Sequence, residues 1–101
     1  MRLTSNEKEI ITNYAIQIFG TGTQVILFGS RVSDTSRGGD IDLLIIPSDD
    51  SLRTDYFSNK IQFKVKVLDR IGDQKMDVIV KYPDDNRGII QTAIKEGVRL
   101  C

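Results

Sequence analysis

The apolar run Val25-Ile26-Leu27-Phe28, cut off abruptly by Gly29-Ser30, is the strongest constraint on how this chain can fold. A continuous run of this length suits a strand buried on both faces. Such a strand needs other elements packed over it. The chain has 101 residues, enough for one domain with a core but with nothing left over for a second, substrate-holding domain. The expectation is a single domain over residues 1–101.

The flanking patterns supply the covering elements. Thr4 followed three residues later by Glu7 reads as a capping box. Ile11, Tyr14, Ala15 and Ile18 then recur at helical spacing, and Gly20 and Gly22 end that helix. Arg31 to Gly39 is polar, with room for a helical turn and a loop. Ile41 to Ile46 is a second strand, closed by Pro47, which cannot donate to a ladder, and a turn follows over Ser48–Ser51.

The next stretch carries two patterns. Ile61, Phe63, Val65 and Val67 alternate with polar residues as in a strand, whereas Phe57, Ile61, Val65 and Leu68 form a helical stripe. Gly72 after Arg70 has the form of a helix C-terminus, so a helix from about Thr54 to Ile71 is expected. Asp77 to Val80 is a third strand. Asn86 to Gly97 is a last helix with Ile90, Ala93 and Ile94 inward. The fold class expected is α+β (α/β layered), a sheet of at least three strands with helices packed on it.

Composition removes several chemistries. There is no His, which excludes His-dependent triads and His-ligated zinc. Acid–base or metal chemistry therefore falls to carboxylates. Lys+Arg and Asp+Glu both number 14, so the chain has no uniform basic field for nucleic acid. Lys60, Lys64, Lys66 and Arg70 make a basic run that a solvated helix face explains. The one cysteine, Cys101, permits no internal disulfide. No membrane span or signal-peptide pattern is visible. A cytoplasmic location is expected.

Three features could carry chemistry. Gly29-Ser30 at a strand end allows a sharp turn and close approach of a phosphate, with Arg31 or Arg37 adding charge; alone, the same pair is an ordinary turn. Asp40-Ile41-Asp42 places two carboxylates on one side of a strand, their α-carbons roughly 6.5–7 Å apart. Such a pair can chelate hard cations or be solvated at a strand entry. Two like charges leading into Leu43-Leu44-Ile45-Ile46 are unfavourable unless a cation or solvent compensates. Asp77, before Val78-Ile79-Val80, joins them if the strands are neighbours. Asp49-Asp50 and Asp84-Asp85 sit beside prolines, where Asp serves local turn hydrogen bonding.

Phe28-Gly29-Ser30, then Asp40-Ile41-Asp42-Leu43 after nine intervening residues, then Asp77 on a later strand, resemble the signature of the DNA polymerase β-like nucleotidyltransferase superfamily. The short length, element order and closing Ala93–Leu100 segment look like its minimal nucleotidyltransferase (MNT) group. The resemblance implies a mixed sheet and a metal-dependent transfer of AMP from ATP to a hydroxyl. The acceptor it implies is a tyrosine of a HEPN-domain toxin, which makes the chain an antitoxin. It assigns Gly29, Ser30 and Arg31 to the phosphates, and Asp40, Asp42 and Asp77 to two Mg²⁺ ions, with Mn²⁺ an alternative. Asp77 also takes the acceptor's proton. All-oxygen ligands agree with those metals. Val32-Ser33-Asp34 departs from the family pattern, which has a small and a basic residue there.

Three other readings stand beside it: a binding-only antitoxin or regulatory subunit, transfer to a small molecule in a homo-oligomer, and, least favoured, direct nucleic-acid transfer.

Overall fold

The computed structural model describes residues 3–29, 40–48 and 55–101. Helix α1 spans Ser5–Phe19, strand β1 Gln24–Phe28, strand β2 Ile41–Ile46, helix α2 Tyr56–Ile71 and strand β3 Met76–Val80. Helix α3 (Gly88–Glu96) and a short strand β4 (Val98–Arg99) complete the order. The sheet runs β3-β2-β1-β4, with β1 antiparallel to β2 and β4 and β2 parallel to β3. This is the α+β layered architecture with a mixed sheet that the sequence leads one to expect.

Local chemistry explains the boundaries. The Thr4 hydroxyl accepts from the Glu7 N–H and the Glu7 carboxylate accepts from the Thr4 N–H, each at 3.0 Å, satisfying two donors that a helix start leaves free. The other Glu7 oxygen accepts from Gln74 Nε2 at 2.9 Å, tying α1 to the entry of β3. Helix α3 starts two residues later than Asn86, because Asp85 holds Arg87 in extended backbone (φ −55°, ψ 142°). The Asp85 carboxylate accepts from the Arg87 N–H at 3.3 Å and from its Nη2 at 2.7 Å.

Strand alternation divides the core. Val25 and Leu27, then Ile41, Leu43 and Ile45, then Met76, Val78 and Val80 face α1 and α2. Ile11, Ala15 and Phe19 of α1 and Tyr56, Phe63 and Val67 of α2 close this layer, and the Phe19 and Phe63 rings meet edge to face at 6.2 Å. On the opposite face Ile26 and Leu44 pack under Ile90 and Ala93 of α3. β1 is thus buried on both sides, as its unbroken apolar run requires.

Three expectations need correction. α2 is a helix, but the stripe Phe57-Ile61-Val65 is its outer side: these residues are 73%, 47% and 63% exposed. Two apolar stripes compete on this helix, and the one containing Phe63 and Val67 wins because it sits over Phe19 and the sheet. Ile94 is half-exposed, not inward, since α3 covers its sheet face only with Ile90 and Ala93. Finally, Gly97 ends α3, but two further residues form β4 against Ile26 and Leu27, a strand too short to show any periodicity.

Candidate active site

The parallel register of β2 and β3 sets Asp42 directly beside Asp77, and the antiparallel register of β1 and β2 sets Phe28 beside Asp42. Because side chains alternate, Asp42 and Asp77 share the sheet face of Ile26 and Leu44, the face opposite α1 and α2. Asp40 stands just before β2, two residues from Asp42. Carboxylate oxygens of Asp40, Asp42 and Asp77, one from each, all lie within 4.8 Å of one another. Asp40 and Asp42 are half-buried and Asp77 is exposed.

This crowding is electrostatically costly. Burial, followed by the charges of Asp77 and Asp40, holds the Asp42 carboxyl above its ordinary value, only partly offset by Lys75. Lys75 Nζ lies 3.7 Å from Asp40 Oδ2. It is largely exposed, and an exposed pair of this kind contributes little. Three oxygen ligands whose negative charge is only partly compensated fit a hard divalent cation, and not a soft metal.

Gly29 serves this cluster in a way the sequence does not disclose. Its φ is +77°, in the region that favours glycine. A Cβ built there would collide with the Asp42 carboxylate. The missing side chain therefore makes room for Asp42, besides allowing the turn. Gly29→Ala should cost about 1–2 kcal/mol for the left-handed backbone. It should also lower activity more than that loss explains, because the carboxylate must swing away. Activity at a temperature where the variant is fully folded, set beside its melting curve, separates the two effects. Ser30 and Arg31, the other phosphate-site candidates, lie outside the described residues, as do Asp34, Arg37 and Asp49-Asp50.

A cavity of about 430 Å³ opens on the cluster, lined by Asp42, Asp77, Phe28, Ile79 and Ile89, with Val78, Lys60 and Lys64. Its walls come from both sides of β3, the outer strand of the sheet. The basic run of α2 is therefore not uniform. Lys66, half-buried like Lys60 and Lys64, stands 6.0 Å from the centre of the Tyr14 ring and Arg70 is exposed, whereas Lys60 and Lys64 line the cavity. Their i, i+4 spacing was the available signal, masked by the neighbouring basic residues. A second cavity of about 140 Å³ adjoins along β3, with Tyr56, Phe57, Tyr82 and Arg87 in its wall. The Tyr56 and Tyr82 rings lie 4.9 Å apart.

Asp84 and Asp85 take the local structural part expected of them. Asp84 carries a positive φ of 61° in the turn. Hydrogen bonding from Arg87 lowers the Asp85 carboxyl to about 2. Among the described residues, no helix is long and apolar enough to cross a membrane.

No protein of curated function matches the chain. A family model does: "Polymerase beta, Nucleotidyltransferase" matches residues 6–101, nearly the whole length, and includes Gly29 and all three clustered carboxylates. The chain belongs to the DNA polymerase β-like nucleotidyltransferases.

Proposed function

We propose that this nucleotidyltransferase moves AMP from ATP to a tyrosine hydroxyl of a HEPN-domain partner toxin and so acts as an MNT-type antitoxin in the cytoplasm. The observation that carries the chemistry is the convergence of Asp40, Asp42 and Asp77 on one sheet face. These residues would hold two Mg²⁺ ions, which supply charge neutralisation on the triphosphate and lower the pKa of a bound hydroxyl. Asp77, the exposed member, faces an arriving hydroxyl and takes its proton. The acceptor oxygen bonds to the α-phosphorus as the bond to the bridging oxygen breaks, and pyrophosphate leaves. The β1–β2–β3 register keeps the carboxylates fixed, so little reorganisation is needed as charge moves. Gly29 lets Asp42 stand in its place, and Ser30 and Arg31 are assigned to the phosphates.

The acceptor assignment rests on the resemblance to MNT proteins. Exposed Ile89 at the cavity and Phe57 at the adjoining one give apolar surface on which a protein acceptor could settle. Incubation with labelled ATP, Mg²⁺ and the protein encoded beside it should label that protein, and Asp42→Asn should abolish labelling. Equal labelling by both forms would refute transfer by this site.

A second reading, neutralisation by occlusion without transfer, is favoured by the exposed stripe Phe57-Ile61-Val65 along α2. Neutralisation that survives Asp42→Asn would select it.

A further inference from the structure

We propose that the outer side of α2 is a docking surface for an acidic amphipathic helix of a partner protein. The inference goes beyond transfer, since it applies equally to neutralisation by occlusion. Phe57, Ile61 and Val65 recur every fourth residue and are 73%, 47% and 63% exposed. They form a ridge about 12 Å long, at a rise of about 1.5 Å per residue. Apolar side chains exposed singly need no explanation, but a contiguous row marks a contact site. The fold does not require this row, because Tyr56, Phe63 and Val67 of the same helix already close the core. A ridge at this spacing fits the groove between the ridges of another helix.

The neighbouring row decides the chemistry of that helix. Lys60 and Lys64 lie between the ridge and the cavity that has Asp42 and Asp77 in its wall. Among the described residues neither ammonium has an ion-pair partner, and like charges one turn apart weaken a helix. Carboxylates on the facing flank of a docked helix remove that cost. They also set the partner beside the acidic cluster. A second copy of this chain does not supply them: in a two-fold pair the same patch meets itself, so the two lysine rows would oppose each other. An anionic lipid surface is a poor match as well, because the ridge runs on into exposed Asp69.

The probe is a fluorescent helical peptide of about three heptads, with leucine on one stripe and glutamate on the flank beside it. A companion peptide carries lysine on that flank. In anisotropy titrations wild type should bind the glutamate peptide at least about tenfold more tightly than the lysine peptide. Lys60→Glu combined with Lys64→Glu should reverse that preference. Phe57→Ser combined with Val65→Ser should weaken binding of the glutamate peptide by about tenfold or more, yet melt close to wild type, since exposed positions contribute little to stability. The inference is overturned if wild type binds neither peptide or does not discriminate between them, if the charge reversal does not switch the preference, or if the serine variant binds as wild type does. Binding of wild type to phosphatidylcholine–phosphatidylserine vesicles that the serine variant loses would make a lipid surface the occupant. A dimer in sedimentation that the serine variant lacks would make it a second copy. Either result overturns the inference. If the peptide behaves as expected but no nucleotide is transferred to any protein, the transferase reading fails and the docking surface stands.

Discussion

Asp42→Asn should raise the melting temperature of the metal-free protein at neutral pH while cutting nucleotidyl transfer more than about a hundredfold, the upper range of what even an outer partner of a metal ligand costs. Burial and the charges of Asp77 and Asp40 raise the Asp42 carboxyl above 3.8. A carboxyl raised in the folded state binds its proton more tightly there than in the unfolded chain. Its stabilising contribution is therefore fully present below 3.8 and lost as pH rises through the raised value. Above that window the ionised group weakens the fold, and asparagine removes the charge with little change of shape. The metal-free wild type should lose stability with rising pH across this window, and the variant should lack that fall. Mg²⁺ should stabilise the wild type by mass action and the variant much less. Melting curves in chelator and in Mg²⁺ over a pH series check each part. A variant that melts below wild type without metal at neutral pH would show that Asp42 contributes packing or hydrogen bonding that outweighs the repulsion.

Gly97→Ala should be among the most destabilising single-methyl additions in the chain. Gly97 donates its N–H to the Ala93 carbonyl at 2.8 Å and ends α3 in extended backbone (φ −82°, ψ 174°), so conformation alone would tolerate any residue. What forbids a side chain is proximity. A Cβ there would collide with the Ala93 carbonyl oxygen and lie 2.8 Å from that of Leu27 and 2.5 Å from Ile26 Cγ2. Two of these are backbone atoms that cannot turn aside, so α3 would have to lift from β1. Overpacking of this kind costs about 1–3 kcal/mol or more, a fall of about 5–20 °C in a domain of this size. Gly88→Ala is the contrasting case: nothing lies within 4 Å of its Cβ, and alanine at a helix start should be neutral or stabilising by up to about 1 kcal/mol. Thermal melts of the two variants side by side give the comparison.

These residues also mark what was legible in the sequence. Helix α1 with its capping box, the three principal strands and the existence of α2 follow from local patterns, because each is decided by residues within one or two turns. The convergence of Asp40 and Asp42 with Asp77 was conditional on β2 and β3 being neighbours, and spacing alone could not supply that register. The buried side of α2 is not decided by the sequence, because Phe57, Ile61 and Val65 make as good a stripe as Phe63 and Val67; only the position of Phe19 and the sheet breaks the tie. Lys60 and Lys64 looked like Lys66 and Arg70, since composition does not say which part of a basic helix meets a cavity. The need for glycine at positions 29 and 97 comes from Asp42, Leu27 and Ala93, contacts made only after the chain has folded.

The pairing of β4 with β1 has a consequence for the order of events on the ribosome. Leu100 donates to the Val25 carbonyl at 2.7 Å, Val25 donates to that of Cys101 at 3.2 Å, and Val98 and Arg99 lie beside Leu27 and Ile26. All three carboxylates have been synthesised once β3 is made, yet the outer edge of β1 stays unpaired until residues 98–101 leave the exit tunnel. A nascent chain can therefore bring its acidic residues together while still carrying an open strand edge, the kind of surface that invites intermolecular pairing. Its most aggregation-exposed interval runs from the completion of β3 until residues 98–101 emerge, and it closes with a few residues of contact distant in sequence.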